Sequence, residues 1–216
     1  MSDPFEHRRR AMVNDQIRKR GIQDERVLNA VEAVKRHLFV PAGMEQDAYL
    51  DRPLPIGHGQ TISQPYIVAR MTELLCLKPT DSVLEIGGGS GYQAALLAKI
   101  AGSVISIERI GEVARGAEEN LRRAGVAGVR IIVRDGTLGF PEEAPYDAIL
   151  ITAATPEVPP PLLSQLAEGG RLVAPVGDAD IQHLVRITRH GEEYATESFE
   201  PVRFVLLIGQ YGWEGR

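Results

Sequence analysis

The chain has 216 residues, of which 44% are hydrophobic and 25% are charged, and this balance is ordinary for a globular domain. Its single cysteine, Cys76, excludes an internal disulfide, and no apolar run approaches the roughly 18 residues of a membrane-spanning helix. The N-terminus lacks the apolar stretch of a secretory signal, and a net charge of −5 does not indicate a nucleic-acid-binding surface. We therefore expect a cytoplasmic protein with no membrane or nucleic-acid partner.

Two helices are predicted near the N-terminus. Residues 4–20 are polar and basic with sparse apolar positions, which is typical of a helix lying on the body of a protein, and Gly21 is placed to end it. Asp24 can cap a second helix, and Pro41 ends this region. The apolar residues of the second helix share one face, and they are Val27, Leu28, Val31 and Val34.

The stretch 41–64 has no helical period and contains several prolines and glycines, so we predict a long ordered loop. Pro65 suits the first turn of the next helix, which places Ser63 just before a helix N-terminus. Two interpretations of this position stay open. Either Thr61, Ser63 or Gln64 caps the helix, or the segment belongs to a functional site.

Residues 83–91, with the sequence VLEIGGGSG, are the stretch around which the chain is organised. An apolar run ends in glycines and an alanine-rich segment follows, which predicts a buried strand, a tight turn and a helix. Glycines permit positive φ at such a turn and remove side chains that would keep a ligand away from the backbone. The helix N-terminus adds N–H donors and a partial positive charge. The turn therefore indicates a ligand site.

The spacing of the glycines discriminates between ligands. Gly87, Gly89 and Gly91 form a G-x-G-x-G pattern, whereas a dinucleotide fingerprint requires glycine or alanine at the position of Tyr92. A second apolar run ends in Glu108. A carboxylate at the end of that strand can accept hydrogen bonds from both hydroxyls of a ribose.

Strands and helices alternate along the rest of the chain. Further strands are predicted at 129–133, 148–151 and 171–176, and a short helix is predicted from Pro159 to Leu166. This alternation indicates an α/β fold with a doubly wound, mainly parallel Rossmann-like sheet and helices on both faces.

The C-terminal region has a different pattern. Segments near 182–188 and 202–208 alternate without a helix between them, so they are predicted to form an antiparallel hairpin at one sheet edge. We expect one domain over residues 1–216 in three parts: N-terminal helices and a loop in 1–64, the α/β core in 65–176, and a hairpin and tail in 177–216.

Ligands of doubly wound sheets bind at the carboxyl ends of the strands. Gly87, Glu108, Asp135 and Thr152 all follow predicted strands, so we expect them to meet in one crevice. Asp135 would then face the amino group of an adenine, although an Asp-Gly pair is equally typical of a turn. The histidines have no metal-ligand spacing with one another or with Cys76, so no metal is expected. The absence of a G-x-S-x-G or G-x-x-x-x-G-K-[ST] motif argues against a hydrolase and an NTPase.

The glycine turn, Glu85 and Glu108 together resemble the S-adenosylmethionine (SAM) site of Rossmann-like methyltransferases. Over nearly its whole length the chain resembles protein-L-isoaspartate O-methyltransferases. The segment 60–65, QTISQP, carries this resemblance, and its Thr-Ile-Ser part at 61–63 is the most specific, because SAM enzymes in general lack it. The other segments that carry the resemblance are 21–22, 24–28, 36–41, Tyr49, 51–57, 83–93, 135–136, 144–149, 169–173 and 201–205.

The resemblance implies a repair enzyme that methylates the α-carboxyl of L-isoaspartyl residues in damaged proteins or peptides, with SAM as donor and S-adenosylhomocysteine as product. The methyl ester then cyclises to a succinimide, which partly reopens to aspartate. The resemblance implies Ser63 as the catalytic residue. The cofactor-binding residues on this basis are Thr61, Ile62, Ser63, Glu85, Gly87, Gly89, Gly91, Glu108, Arg109, Asp135 and Gly136.

The chain departs from the family pattern at two positions. Gly88 stands where relatives often carry a small hydroxyl residue, and Leu206 stands where they usually have proline. The first departure is expected to change the stiffness of the turn. The second affects the C-terminal segment that helps to close over cofactor and substrate in the family.

Other functions stay open at this point. A methyltransferase with a different carboxylate acceptor would have the same fold, and 53–66 is the acceptor-side segment that distinguishes it. A non-catalytic SAM-binding module would bind SAM without turnover. An NAD-dependent oxidoreductase is disfavoured by Tyr92. The size and charge are compatible with a monomer, which we expect.

Overall fold

A computed structural model describes residues 3–214 of the chain. Over these residues the strands are β1 (Leu54–Gly57), β2 (Gln60–Ile62), β3 (Ser82–Ile86), β4 (Ser103–Glu108), β5 (Val129–Val133), β6 (Tyr146–Ile151), β7 (Leu166–Gly177), β8 (Gln182–His190) and β9 (Glu193–Val202). The main sheet has the spatial order β5-β4-β3-β6-β7-β8-β9, and β1 pairs with β2 in a small separate sheet.

The α-helices of the described residues are α1 (Glu6–Ala11), α2 (Glu25–Ala33), α3 (Pro65–Leu74), α4 (Tyr92–Ile100), α5 (Gly111–Ala124) and α6 (Pro160–Ser164). A π-helical stretch and a 3-10 turn continue α1 to Arg20, and Gly21 ends this segment with a φ of +100°. Asp24 caps α2, because its carboxylate accepts a hydrogen bond from the Arg26 N–H at 2.9 Å. Both predicted N-terminal helices are confirmed, together with Gly21 and Asp24 as their signals, although α2 ends at Ala33 and leaves Val34 just outside it.

The main sheet is parallel from β3 to β7, and β8 and β9 extend it antiparallel. The strand order reverses at β3, because β4 and β5 lie on one side of it and β6 and β7 on the other. Open α/β sheets bind their ligands at this switch point, outside the carboxyl ends of the strands. The predicted doubly wound, mainly parallel sheet with an antiparallel C-terminal edge is confirmed.

Two apolar clusters cover the two faces of the main sheet. Successive strand residues point to opposite faces, so Val83 belongs to one cluster and Leu84 to the other. The first cluster contains apolar residues of α2, α3 and α4, and the second contains Leu162 of α6 and Leu207 near the C-terminus. No helix within residues 3–214 combines the length and the apolar character needed to cross a membrane.

Three predictions, one in the first part of the chain and two around α6, are wrong. Residues 41–64 are not a continuous loop, because β1 and β2 form a hairpin whose turn has positive φ at His58 and at the glycines beside it. The helix expected to reach Leu166 ends at Ser164, since β7 begins at Leu166. β7 is also longer than the predicted strand 171–176.

The predicted C-terminal hairpin exists, but its second strand was assigned to the wrong segment. β9 follows β8 after a tight turn and ends at Val202, where the predicted strand 202–208 begins. β9 is an edge strand whose residues are largely exposed, so it carries no alternation of apolar and polar residues. The segment after Val202 instead forms an isolated bridge from Leu206 to Ala154, three residues past the end of β6.

Candidate active site

The turn between β3 and α4 has the backbone geometry that its glycines predict. φ is +98° at Gly87, +52° at Gly89 and +83° at Gly91, a region that other residues rarely adopt. Space is also limiting at Gly87, since a Cβ atom there would overlap the Thr152 hydroxyl oxygen. That hydroxyl donates a hydrogen bond to the Gly87 carbonyl at 2.6 Å. The end of β6 is therefore tied directly to the turn.

Glu108 ends β4 beside this turn, and only 7% of its surface is exposed. Its Oε2 accepts a hydrogen bond from the Gly89 N–H at 3.0 Å, and its Oε1 accepts one from the Ile110 N–H at 2.9 Å. A carboxylate oxygen has two lone pairs, so each keeps one acceptor position. The side chain can hold the turn and accept hydrogen bonds from two ribose hydroxyls at the same time.

Glu85 lies within the central strand and is fully buried. Its Oε2 accepts a hydrogen bond from the Ser106 hydroxyl of β4, whereas its Oε1 has no partner among residues 3–214. Burial raises the pKa of the Glu85 carboxyl to about 8, against the opposing effect of the Ser106 hydrogen bond. Glu85 does not border the cleft described below. Its expected contact with a cofactor stays a prediction that this geometry does not support.

Asp135 and Gly136 follow β5 but take different positions. Gly136 borders the cleft, and a Cβ atom there would lie 2.5 Å from a methyl carbon of Ile86. Asp135 accepts hydrogen bonds from the N–H and hydroxyl of Thr137 and, at 2.8 Å, from the Gln210 N–H. Desolvation opposes ionisation, but these hydrogen bonds lower the pKa of Asp135. Asp135 thus forms the predicted Asp-Gly turn and holds the C-terminal segment, and its contact with adenine stays a prediction.

Thr61 and Ile62 are the last residues of β2, Ser63 follows them, and α3 begins at Pro65 as predicted. The capping interpretation of this segment is wrong. Gln64 occupies the N-cap position without a side-chain capping bond, and its amide donates instead to the Asp51 carboxylate at 2.8 Å. The Ser63 carbonyl accepts a hydrogen bond from the Arg36 guanidinium at 2.8 Å. The segment is therefore held by its backbone, which leaves the Ser63 hydroxyl free of any capping role.

A cleft crosses the carboxyl ends of β3, β4 and β6, and its two parts share Gln60, Gly87 and Glu108. The predicted cofactor-binding residues that border it are Thr61, Ile62, Ser63, Gly87, Gly89, Glu108, Arg109 and Gly136. The other predicted residues, Glu85, Gly91 and Asp135, do not border it. Gly91 instead occupies the N-cap position of α4.

A larger groove of about 880 Å³ adjoins the cleft. It lies between the β1–β2 region and the segments 179–181 and 201–206. The residues that border both the cleft and the groove are Thr61, Ser63, Phe204, Val205 and Leu206. The arrangement suits a small ligand in the cleft and a chain-like ligand in the groove. Ser63 lies in the wall where the two would meet.

Some residues of the cleft were not predicted from the sequence. Gln60 borders both parts of it, and Leu207 and Ile208 border the second part. The last two reach the cleft through isolated bridges of their segment to Ala154 and Trp213, which leave no periodic pattern in the sequence. Within residues 3–214, no three His, Cys, Asp or Glu side chains are grouped in a way that could hold a metal ion.

The sequence model of the family described as protein-L-isoaspartate(D-aspartate) O-methyltransferase matches residues 7–212. A protein-L-isoaspartate O-methyltransferase of Methanoculleus marisnigri is 58% identical over 214 residues, which cover 99% of this chain and 97% of the relative. A protein of the same name from Methanospirillum hungatei is 61% identical over 206 residues, which cover 95% of each chain.

Solved structures give the same result. A protein-L-isoaspartate O-methyltransferase superposes with a TM-score of 0.86 at 29% identity, covering 94% of this chain and 67% of the other. A structure from Plasmodium falciparum, described as such an enzyme in complex with S-adenosyl-L-homocysteine, has a TM-score of 0.78 at 27% identity. That match covers 93% of this chain and 98% of the other.

Proposed function

This chain belongs to the protein-L-isoaspartate(D-aspartate) O-methyltransferase family, and we propose that it repairs proteins by methylating L-isoaspartyl residues. The methyl group of SAM is transferred to the α-carboxylate of the damaged residue. An oxygen–carbon bond forms, the sulfur–carbon bond breaks, and S-adenosylhomocysteine leaves. The main-chain nitrogen of the next residue then attacks the ester carbonyl and methanol leaves, and water partly reopens the resulting succinimide to aspartate.

The observation that carries this proposal is the position of Ser63 between the cleft and the groove. A cofactor bound in the cleft would present its methyl group toward the wall formed by the residues common to both spaces. A peptide in the groove would present its carboxylate from the other side. The common residues therefore surround the place where transfer would occur, and they are Thr61, Ser63, Phe204, Val205 and Leu206.

The main task of the protein in this reaction is to align the acceptor carboxylate with the methyl group of SAM. A carboxylate acceptor has a reference pKa near ~4 and is already ionised at neutral pH, so no general base is required. Correct orientation of two reactants can contribute roughly 7–11 kcal/mol to lowering the barrier. We propose that the Ser63 hydroxyl donates a hydrogen bond to one carboxylate oxygen and leaves the other directed at the methyl group.

The remaining cleft residues would hold the cofactor. SAM, when bound, supplies an electrophilic methyl group on a sulfonium. Glu108 has an unused acceptor position on each oxygen for the ribose hydroxyls. The glycine turn lets the backbone approach the ligand closely, and Gly136 leaves space in the second part of the cleft.

The groove suits an extended peptide that lies along residues 53–64 and forms backbone hydrogen bonds. Recognition would then depend on the extra methylene in the main chain of isoaspartate rather than on the flanking side chains. A strong preference for flanking sequence across a peptide series would contradict this proposal.

We further propose that the chain acts as a cytoplasmic monomer and that nucleic acids are not its substrates. We also propose that 1–216 form one domain divided as predicted.

The decisive experiment uses labelled SAM and two peptides that differ only in L-isoaspartate or L-aspartate at one position. We expect base-labile methyl incorporation into the isoaspartyl peptide alone. SAM binding without incorporation into either peptide would contradict the proposal. It would indicate another carboxylate acceptor or a binding module without turnover.

A further inference from the structure

Arg36 is the first residue of the 3-10 turn Arg36–Phe39. Its side chain is fully buried, which is rare for an arginine. Its Nε donates a hydrogen bond to the Ala48 carbonyl at 2.7 Å, and its Nη2 donates one to the Ser63 carbonyl at 2.8 Å. Both acceptors are neutral. Nη1 has no hydrogen-bond partner among residues 3–214. The buried guanidinium is thus hydrogen-bonded to two backbone carbonyls and to no carboxylate among residues 3–214.

Stability alone does not account for this arrangement. Removing a charged group from water costs several kcal/mol, and an apolar side chain of similar volume is often as stable or more stable at such a site. Burial accordingly lowers the pKa of Arg36 to about 10. What an apolar side chain would not reproduce is the pair of fixed hydrogen bonds. We therefore explain the burial of Arg36 by the two backbone segments that its hydrogen bonds fix.

The contacts of Arg36 converge on the wall between the cleft and the groove. One bond fixes the carbonyl of Ser63, whose hydroxyl is the group proposed to orient the acceptor. The guanidinium carbon also lies 4.9 Å from the centre of the Tyr92 ring, and Tyr92 opens α4 and borders the cleft. The Ala48 bond ties the same guanidinium to the segment before β1. A rigid, planar fork of donors is the feature that allows one side chain to fix these elements together.

We propose that Arg36 is a positioning residue for methyl transfer, which sets the direction of the Ser63 hydroxyl by fixing the Ser63 carbonyl. This inference rests on the proposed function. Arg36 itself does not touch the substrate or the cofactor in this role. Its effect should therefore appear in the alignment of the acceptor and not in the affinity for SAM.

The test is a double-mutant cycle between Arg36→Lys and Ser63→Ala, read as kcat and KM for the isoaspartyl peptide and as the Kd of SAM. Lysine keeps the charge but not the fork. Where circular dichroism shows that Arg36→Lys does not fold, Arg36→Met takes its place in the same cycle, because it buries no charge. The wild-type protein is assayed first, so that absence of its activity would be recognised as failure of the proposed function.

Arg171→Lys is the matched control. Arg171 also donates to two backbone carbonyls, those of Leu75 at 2.8 Å and Cys76 at 3.1 Å, and in addition to the Asp81 carboxylate at 2.7 Å. It lies at the opposite edge of the parallel strands, since it pairs with Ala148 near the start of β6. Its replacement should lower the melting temperature and leave kcat unchanged.

We expect Arg36→Lys to lower kcat on the order of 10- to 100-fold, with the Kd of SAM within about two-fold of wild type. In the Ser63→Ala background the same replacement should cost less than about three-fold, because the hydroxyl that it misdirects is absent. Equal losses in both backgrounds, a loss confined to SAM binding, or wild-type kcat in a folded variant would overturn the inference.

Discussion

The carboxylate of Glu108 accepts a hydrogen bond from the Gly89 N–H at 3.0 Å, across the gap between two neighbouring parallel strands. Its other oxygen accepts from the Ile110 N–H at the start of α5. One side chain therefore fixes the shape of the glycine turn and presents acceptor positions to the cleft. Glu108 is therefore placed to couple the geometry of the turn to the binding of a ligand in the cleft.

Glu108→Gln should weaken SAM binding on the order of 10- to 100-fold, since a hydrogen bond to a charged group contributes about 1.5–3 kcal/mol. Glutamine has one acceptor oxygen in place of two and cannot serve both N–H groups. Titration calorimetry measures the Kd. Glu112→Gln in the exposed first turn of α5 is the control and should bind SAM like wild type. Equal affinity in the two variants would contradict the assignment of Glu108.

Ser63→Ala should lower kcat by about 10-fold or more, through loss of one hydrogen bond to a charged acceptor. The Kd of SAM should change less than about two-fold, because the proposed partner of the hydroxyl is the acceptor. Steady-state kinetics with the isoaspartyl peptide and calorimetry with SAM separate the two effects. Ser164→Ala, on the exposed part of α6, is the control. Wild-type kcat in the Ser63 variant would exclude the orienting role.

The elements that could be predicted are those whose local sequence determines their geometry. The glycines after β3 have positive φ as expected, Asp24 caps α2, and Pro65 begins α3. Buried parallel strands leave continuous apolar runs, which is why β3 and β4 were found within a residue or two. At these positions the conformation favoured by the local sequence is the one found in the folded protein.

The elements that could not be predicted depend on pairing partners distant in sequence. β9 is exposed along most of its length and is a strand only because β8 pairs with it. Glu85 matches a binding motif by position, but the sheet buries it behind the cleft. The sequence assigns no role to Arg36 beyond its place in segment 36–41, and only the tertiary contacts to Ala48 and Ser63 show what it holds.

Gly88, where relatives often carry a small hydroxyl residue, lies close to Ser106 of the neighbouring strand β4. A Cβ atom at Gly88 would lie 2.8 Å from the Ser106 hydroxyl oxygen, which already donates to Glu85. Gly88→Ser should therefore destabilise the fold by about 1–3 kcal/mol, because overpacking displaces a hydrogen-bonded group. Urea denaturation of the variant measures this change.

The combination of Gly88→Ser with Ser106→Ala should cost less than the sum of the single changes, by more than about 0.5 kcal/mol. The clash is then absent, and a hydroxyl is still present near the Glu85 carboxylate. Gly116→Ser is the control, since a Cβ atom there meets nothing within 4 Å. Strict additivity of the two changes would show that the residues do not compete for the same space.

Glu85 should make stability depend on pH in a direction opposite to that of most carboxylates. Its folded pKa of about 8 lies well above the usual value of 4.5, so the folded state keeps a proton that the unfolded state releases. The contribution of Glu85 to the free energy of unfolding is fully present below its pKa in the unfolded chain, near 4.5. It is lost as the pH rises through its pKa of about 8 in the folded protein. Across that window the free energy of unfolding should fall by up to about 1.4 kcal/mol per pH unit from this group.

Glu85→Gln removes the titrating group and keeps the shape, so the variant should gain a few kcal/mol relative to wild type, as an order of magnitude, between pH 5 and pH 8. Urea denaturation at several pH values gives the difference directly. Glu192→Gln, in the exposed turn between β8 and β9, is the control and should follow the wild-type curve. Parallel curves for wild type and Glu85→Gln would mean that the Glu85 carboxyl is already ionised in the folded protein. The Ser106 hydroxyl would then be hydrogen-bonded to a buried charge, and Glu85→Gln would lose that stronger bond at every pH.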